Sequence, residues 1–170
     1  MKKISIIPAY LFIFWAGFVC AISFMEAWLK FQAPGVTLTI GLSIGMKVFK
    51  ALNIVEWTML LIALGWILPQ LKSLSFWLKF GMITNALILL LQSFVLIPDL
   101  TLRAMSLIEN RPLPPNPTTH ITYIVFEIIK VALLVAMTSH WMKLMHKSKS
   151  KNKYDDKTTM ERNDYNKIAV

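Results

Sequence analysis

Four apolar stretches, each close to the ~20 residues a helix needs to cross the hydrocarbon of a bilayer, constrain this chain more than any other feature. They run from about Ile4 to Met25, Val48 to Leu68, Leu74 to Ile97 and Ile121 to Met142. None shows the strict alternation of a barrel strand, and all are too long for one. The expected fold is therefore all-α: a four-helix transmembrane bundle over residues 1–146, followed by a disordered basic C-terminal tail over residues 147–170. Composition agrees, since 56% of the 170 residues are hydrophobic and only 16% are charged. A soluble domain of this length needs far more polar surface to cover one small core.

The formal charge of +9 does not point to nucleic acid, because of where the cations lie. Eight Lys or Arg fall between Lys143 and Val170 against four Asp or Glu, and most of the others sit at the ends of apolar runs. A basic segment beside a bilayer meets anionic headgroups first. Counting cations near span ends gives twelve on one side (Lys2, Lys3, Lys72, Lys79 and the tail) and five on the other (Lys30, Lys47, Lys50, Arg103, Arg111). The positive-inside rule then predicts a multi-pass protein of the plasma (inner) membrane with N- and C-termini cytoplasmic. The first stretch, opened by Lys2 and Lys3, also resembles a signal peptide. Pro8, the bulky Phe12, Phe14 and Trp15 and a poor small-residue site near Ala21 favour an uncleaved span.

Two outward connections stand out. Phe31 to Met46 alternates Leu38, Ile40, Leu42 and Ile44 with small polar residues, which predicts an interfacial or re-entrant segment. Pro112, Pro114, Pro115 and Pro117 stiffen the second connection up to a cap at Thr118 or Thr119. No internal repeat is visible. Cys20 is the single cysteine, which leaves no intrachain disulfide and no thiolate cluster.

Ionisable groups inside spans are costly and must face the bundle interior. At 100° per residue, His120, Tyr123, Glu127 and Lys130 share an arc of about 80° on the fourth helix. Gly81, Asn85, Gln92 and Asp99 share about 40° on the third. Asn53 and Glu56 on the second helix and Glu26 and Lys30 on the first complete the set. The carboxylates lie towards the outward ends of their spans, so the sequence predicts a polar pocket open to the extracytoplasmic side. The candidates for ligand binding or proton exchange are Glu26, Asn53, Glu56, Asp99, Arg103, His120, Tyr123, Glu127 and Lys130, with Glu127 foremost as a deep carboxylate. A plainer reading is available for each: Glu26 with Lys30, Asp99 with Arg103 and Glu127 with Lys130 have i,i+4 or i,i+3 spacing and can be neutralising pairs, while Asn85 and Gln92 can be interhelical glue.

No Glu-x-x-His unit, Gly-rich phosphate loop or Ser-His-Asp constellation is present, and His120 and His140 lie too far apart on one helix to share a haem. No catalytic residue, metal or cofactor is therefore assigned. Gly41-x-x-x-Gly45 has the small-residue spacing of a close helix approach. The chain resembles small four-helix bacterial integral membrane proteins in Glu26-Ala27, Lys30-Phe31, Ala33-Pro34, Gly45, Val48-Phe49, Leu52-Asn53, Glu56, Pro98, Leu100, Arg103-Ala104, His120, Tyr123, Glu127 and Lys130. That resemblance implies the fold and no particular chemistry. Three functions remain: binding or transport of a small solute, ion or proton; a non-catalytic accessory or assembly subunit; and, last, a membrane-embedded enzyme acting on a lipid-like substrate. Expected partners are the lipid bilayer and either further copies of the chain or a larger membrane complex, with no nucleic acid.

Overall fold

The computed structural model describes residues 5–72, 74–115 and 117–168; from residue 151 onward it describes the backbone and, of the side chains, that of Thr158. Among the described residues the secondary structure is helical, with no strand. Four helices are long and apolar enough to span a membrane: Ile7–Gln32, Leu38–Gln70, Phe76–Ile108 and Thr119–Ser150. The chain is a four-helix transmembrane bundle.

Local chemistry sets the ends. The first helix starts with Pro8 in its first turn, where a missing N–H costs nothing. It ends in a turn closed by Val36 N–H to Ala33 O at 3.1 Å, with Gly35 at φ 81°, a conformation glycine adopts without strain. Thr37 caps the second helix, its Oγ1 accepting from Ile40 N–H at 3.3 Å. Asn110, at φ 52°, terminates the third helix in the left-handed conformation that Asn tolerates. After Pro117 the sequence holds neither Pro nor Gly. The fourth helix accordingly continues in one backbone geometry from Thr119 to Ile168, carrying the polar tail in line with it.

All four helices run past an expected bound, and in the second and third the excess shapes the interior. The second begins at Leu38, not near Val48, so the alternating segment is helical from the third residue after Gly35. The alternation misleads because the packing uses a different spacing: Gly41 and Gly45, one turn apart, let the end of the first helix lie against them. A Cβ on Gly41 would collide with the Phe31 ring, and one on Gly45 would fall 3.0 Å from Lys30 Nζ. The third helix passes through Pro98 to Ile108. Proline removes an N–H from the ladder, and the turn before it, Gln92–Leu96, widens to π geometry. A second π segment, Cys20–Glu26, lies in the first helix.

The first helix packs mainly on the fourth, the fourth on the third, and the third, through its later half, on the second. Near the end where the chain termini emerge, Phe12, Leu60, Leu78, Leu134, Met137 and Trp141 fill the interior. Met137 Sδ comes to 2.6 Å of where a Gly81 Cβ would stand, which is why that position of the third helix carries no side chain. The opposite end, where the first and third helices finish and the second and fourth begin, is not filled.

Candidate functional site

One side chain or more from each helix converges on a charged cluster in the bundle interior. Lys130, on the fourth helix, places Nζ 2.5 Å from Glu56 Oε1 of the second and 3.0 Å from Glu127 Oε1, one turn away on its own helix. Trp15 of the first helix donates its indole N–H to Glu56 Oε1 at 3.1 Å. Gln92 of the third donates its amide to Glu127 Oε1 at 2.7 Å. The three charged side chains are 0 to 1% exposed, so bulk solvent does not reach them. Because the second and third helices are longer than expected, Glu56 and Gln92 stand midway along them, deeper than the span ends at which the sequence placed the carboxylates.

The cluster is incompletely matched. Two carboxylates share one ammonium, and Glu127 Oε2 and Gln92 Oε1 are both buried without a hydrogen-bond partner. Orphaned acceptors at this depth are costly, and they sit on the side chains that already touch one another. Tyr123, buried and edge-on to the Phe49 ring with centroids 5.3 Å apart, brings its hydroxyl into the neighbourhood of Glu127 and of Ser23. Ser23 Oγ is likewise buried and unpartnered.

Above the cluster, at the unfilled end, lies a cavity of about 550 Å³. Ser23 is part of its wall, as are Lys30, Arg103 and His120, set among Phe, Leu and Ile side chains from all four helices. Lys30 is fixed from three sides: Glu26 Oε2 at 3.2 Å, and the Phe31 and Phe49 rings, each 5.5 Å from Nζ. Arg103 donates to Pro114 O at 3.0 Å and so holds the proline-rich connection against the third helix.

The sequence candidates thus separate into groups. Glu56, Glu127 and Lys130 form the buried cluster, with Tyr123 beside it. Glu26 and Lys30 pair as their spacing suggested, and Lys30 lines the cavity together with Arg103 and His120. Asp99 accepts a hydrogen bond from Thr119 Oγ1 of the fourth helix. Asn53 belongs elsewhere: it donates through Nδ2 to Ser93 Oγ at 2.8 Å, as does Trp57 Nε1 at 2.9 Å, clipping the second helix to the third. Ser93, Trp15 and Ser23 escaped the sequence reading. A lone serine or tryptophan in an apolar run carries no periodic signal, although Ser93 follows Gln92 directly and Trp15 is a donor needing a partner wherever it is buried. Among the described residues no group of three or more His, Cys, Asp or Glu side chains converges in a manner suited to a metal ion. Compared with protein-family models, with curated proteins and with solved structures, the chain matches none.

Proposed function

We propose that this chain binds or transports a small solute, ion or proton, with the cavity as its outward-facing site and the Glu56–Lys130–Glu127 cluster as the proton-exchange group beneath it. The reading places the protein in the plasma membrane with both termini cytoplasmic, following the cation count. The observation that carries it is the mismatch in the cluster. Fully ionised, two carboxylates and one ammonium leave one negative charge in an interior closed to bulk solvent, which a proton or small cation would neutralise. A proton on Glu127 Oε2 would lie beside Gln92, whose amide already donates to Oε1 of the same carboxyl. Acid and amide could then exchange two hydrogen bonds, giving both orphaned oxygens a partner. Ser23, in the cavity wall, and Tyr123, between Ser23 and Glu127, supply hydroxyls along the route from cavity to carboxyl.

Infrared difference spectroscopy of the reconstituted protein across a pH titration tests this reading. A carboxylic-acid C=O band that titrates and vanishes in Glu127→Gln is expected, together with proton uptake into dye-loaded proteoliposomes that the variant lacks. A cluster with no acid band at any accessible pH, in a protein that moves no protons and binds no solute, would turn the same residues into packing and favour the accessory-subunit reading.

A further inference from the structure

We infer that the cavity receives an uncharged, mostly hydrocarbon molecule taken from the membrane, oriented with one hydroxyl or carbonyl oxygen inward at Ser23; this rests on the cavity being the ligand site and names the class of ligand. Charge is the first argument, because the cations of the wall already have partners. Lys30 Nζ is paired with Glu26 Oε2 at 3.2 Å and lies against two aromatic rings, and Arg103 donates to Pro114 O at 3.0 Å. His120, the remaining titratable side chain of the described lining, is exposed. An anion drawn to Lys30 would compete with Glu26 for the same ammonium, and a cation would meet no carboxylate, since the described lining holds no Asp or Glu. A neutral ligand meets neither cost.

The walls are the second argument. A volume of about 550 Å³ is within the range that encloses one drug-sized molecule, and Phe24, Phe49, Ile97, Leu100 and Ile124 are among the lining residues. A wholly polar solute would leave its own hydrogen-bonding groups facing them. Trp28, Phe31 and Leu107 both line the cavity and are exposed. The opening is thus rimmed by apolar side chains, which suits a molecule arriving from lipid.

The inner end is the third. Ser23 stands about two turns along the first helix from Lys30, towards the charged cluster. A serine in a helix commonly bonds back to the carbonyl four residues earlier, as Ser43, Ser93 and Ser139 do in this chain. Ser23 does not: its Oγ is buried without a hydrogen-bond partner in the wall of the cavity. It also lies within the π segment Cys20–Glu26, a distortion that helices keep mostly at functional sites. A hydroxyl that can both donate and accept, at the foot of an apolar cavity, is matched by one neutral oxygen at the inner end of the ligand.

Photolabelling of the full chain in phosphatidylcholine nanodiscs by a diazirine-bearing dodecanol, with competitors compared at equal mole fraction in the bilayer, tests the assignment. Saturable labelling that maps to the lining residues is expected. Dodecanol or methyl decyl ketone should displace it at least about tenfold better than dodecanoate or dodecyltrimethylammonium, and the better of the two neutral compounds identifies the oxygen as hydroxyl or carbonyl. Ser23→Ala should weaken the neutral competitors about threefold to tenfold, to the level at which dodecane, which lacks the oxygen, displaces the label from unaltered protein. Ala104→Trp should abolish saturable labelling, and Ala27→Trp, from the first helix, makes the same test if the former does not fold. Labelling that fails to saturate, equal displacement by dodecanoate, unchanged competition in a folded Ser23→Ala, or full saturable labelling of a folded tryptophan variant would overturn the inference. Glu127→Gln, outside the lining, should keep the labelling. Saturable labelling of a protein with no titrating acid band and no proton uptake means that the proton reading has failed alone, while acid band and uptake without saturable labelling mean that the neutral ligand has failed alone.

Discussion

Removing the charge of Glu127 should cost little, and removing that of Lys130 should cost a great deal. The asymmetry follows from the geometry. Both carboxylate oxygens lie within 3.0 Å of Lys130 Nζ, so they are at most about 5.5 Å apart, and at an effective dielectric of about 20 their mutual repulsion is at least about 3 kcal/mol. Glu127 gains about 5 to 6 kcal/mol from Lys130 on the same footing, and this is further reduced by the several kcal/mol it takes to bury an ion. Glu127→Gln leaves a neutral Glu56–Lys130 pair and supplies an amide N–H that Gln92 Oε1 can accept. The expected change is within about 1 kcal/mol in either direction. Lys130→Met, in contrast, strands two carboxylates and should destabilise by about 3 to 5 kcal/mol or more. Adding Glu127→Gln to Lys130→Met should recover part of that loss, and adding Glu56→Gln as well should recover most of the rest. Equilibrium unfolding in mixed detergent micelles reads all four variants. A Glu127→Gln protein as unstable as Lys130→Met would refute the reasoning, because it would mean that Lys130 depends on Glu127 rather than on Glu56.

Gly41→Leu should destabilise by about 1 to 3 kcal/mol through collision with Phe31, and Phe31→Ala should relieve part of it in the same unfolding assay. In a Cys20→Ser background, a cysteine at Leu113 should react with an impermeant thiol reagent on intact cells and one at Ser148 should not; the reverse pattern would invert the proposed orientation. Truncation after Lys147 should shift the melting temperature in detergent by no more than about 2 °C, since among the described side chains of the fourth helix the last well-buried one is Met145; a larger loss would show that the segment beyond packs on the bundle.

Much of the interior was legible because membrane burial is strict. Glu127 and Lys130 were readable as inward-facing from their shared arc, and Glu26 with Lys30 as a pair from spacing alone. The partner of Lys130 was not. Sequence periodicity reports neighbours on one helix and is silent across helices, so Lys130 invited pairing with Glu127, whereas its shorter contact is to Glu56. Asn53 shows the same limit: its angle to Glu56 suggested one site, but the helix rotation sends it to Ser93. The start of the second helix was hidden for another reason. Gly41 and Gly45 weaken helix propensity locally, and only the ring of Phe31 and the stem of Lys30, packed where a side chain would otherwise be, account for them.

The excess length of the second helix bears on how the molecule sits in its bilayer. At about 1.5 Å per residue, its 33 residues extend about 50 Å, against ~30 Å of hydrocarbon and ~40 to 45 Å between the outer limits of the headgroups. Its first turns are apolar and exposed at Leu38, Ile40 and Ile44, so water is a poor environment for them, and a lean of about 30° would bring the whole rod inside the headgroup limits. Gly41 and Gly45, on those same turns, form part of the cavity wall. The mouth of the cavity therefore lies on the same turns as these exposed apolar side chains, at the end of the helix that a lean must bring within the headgroup limits.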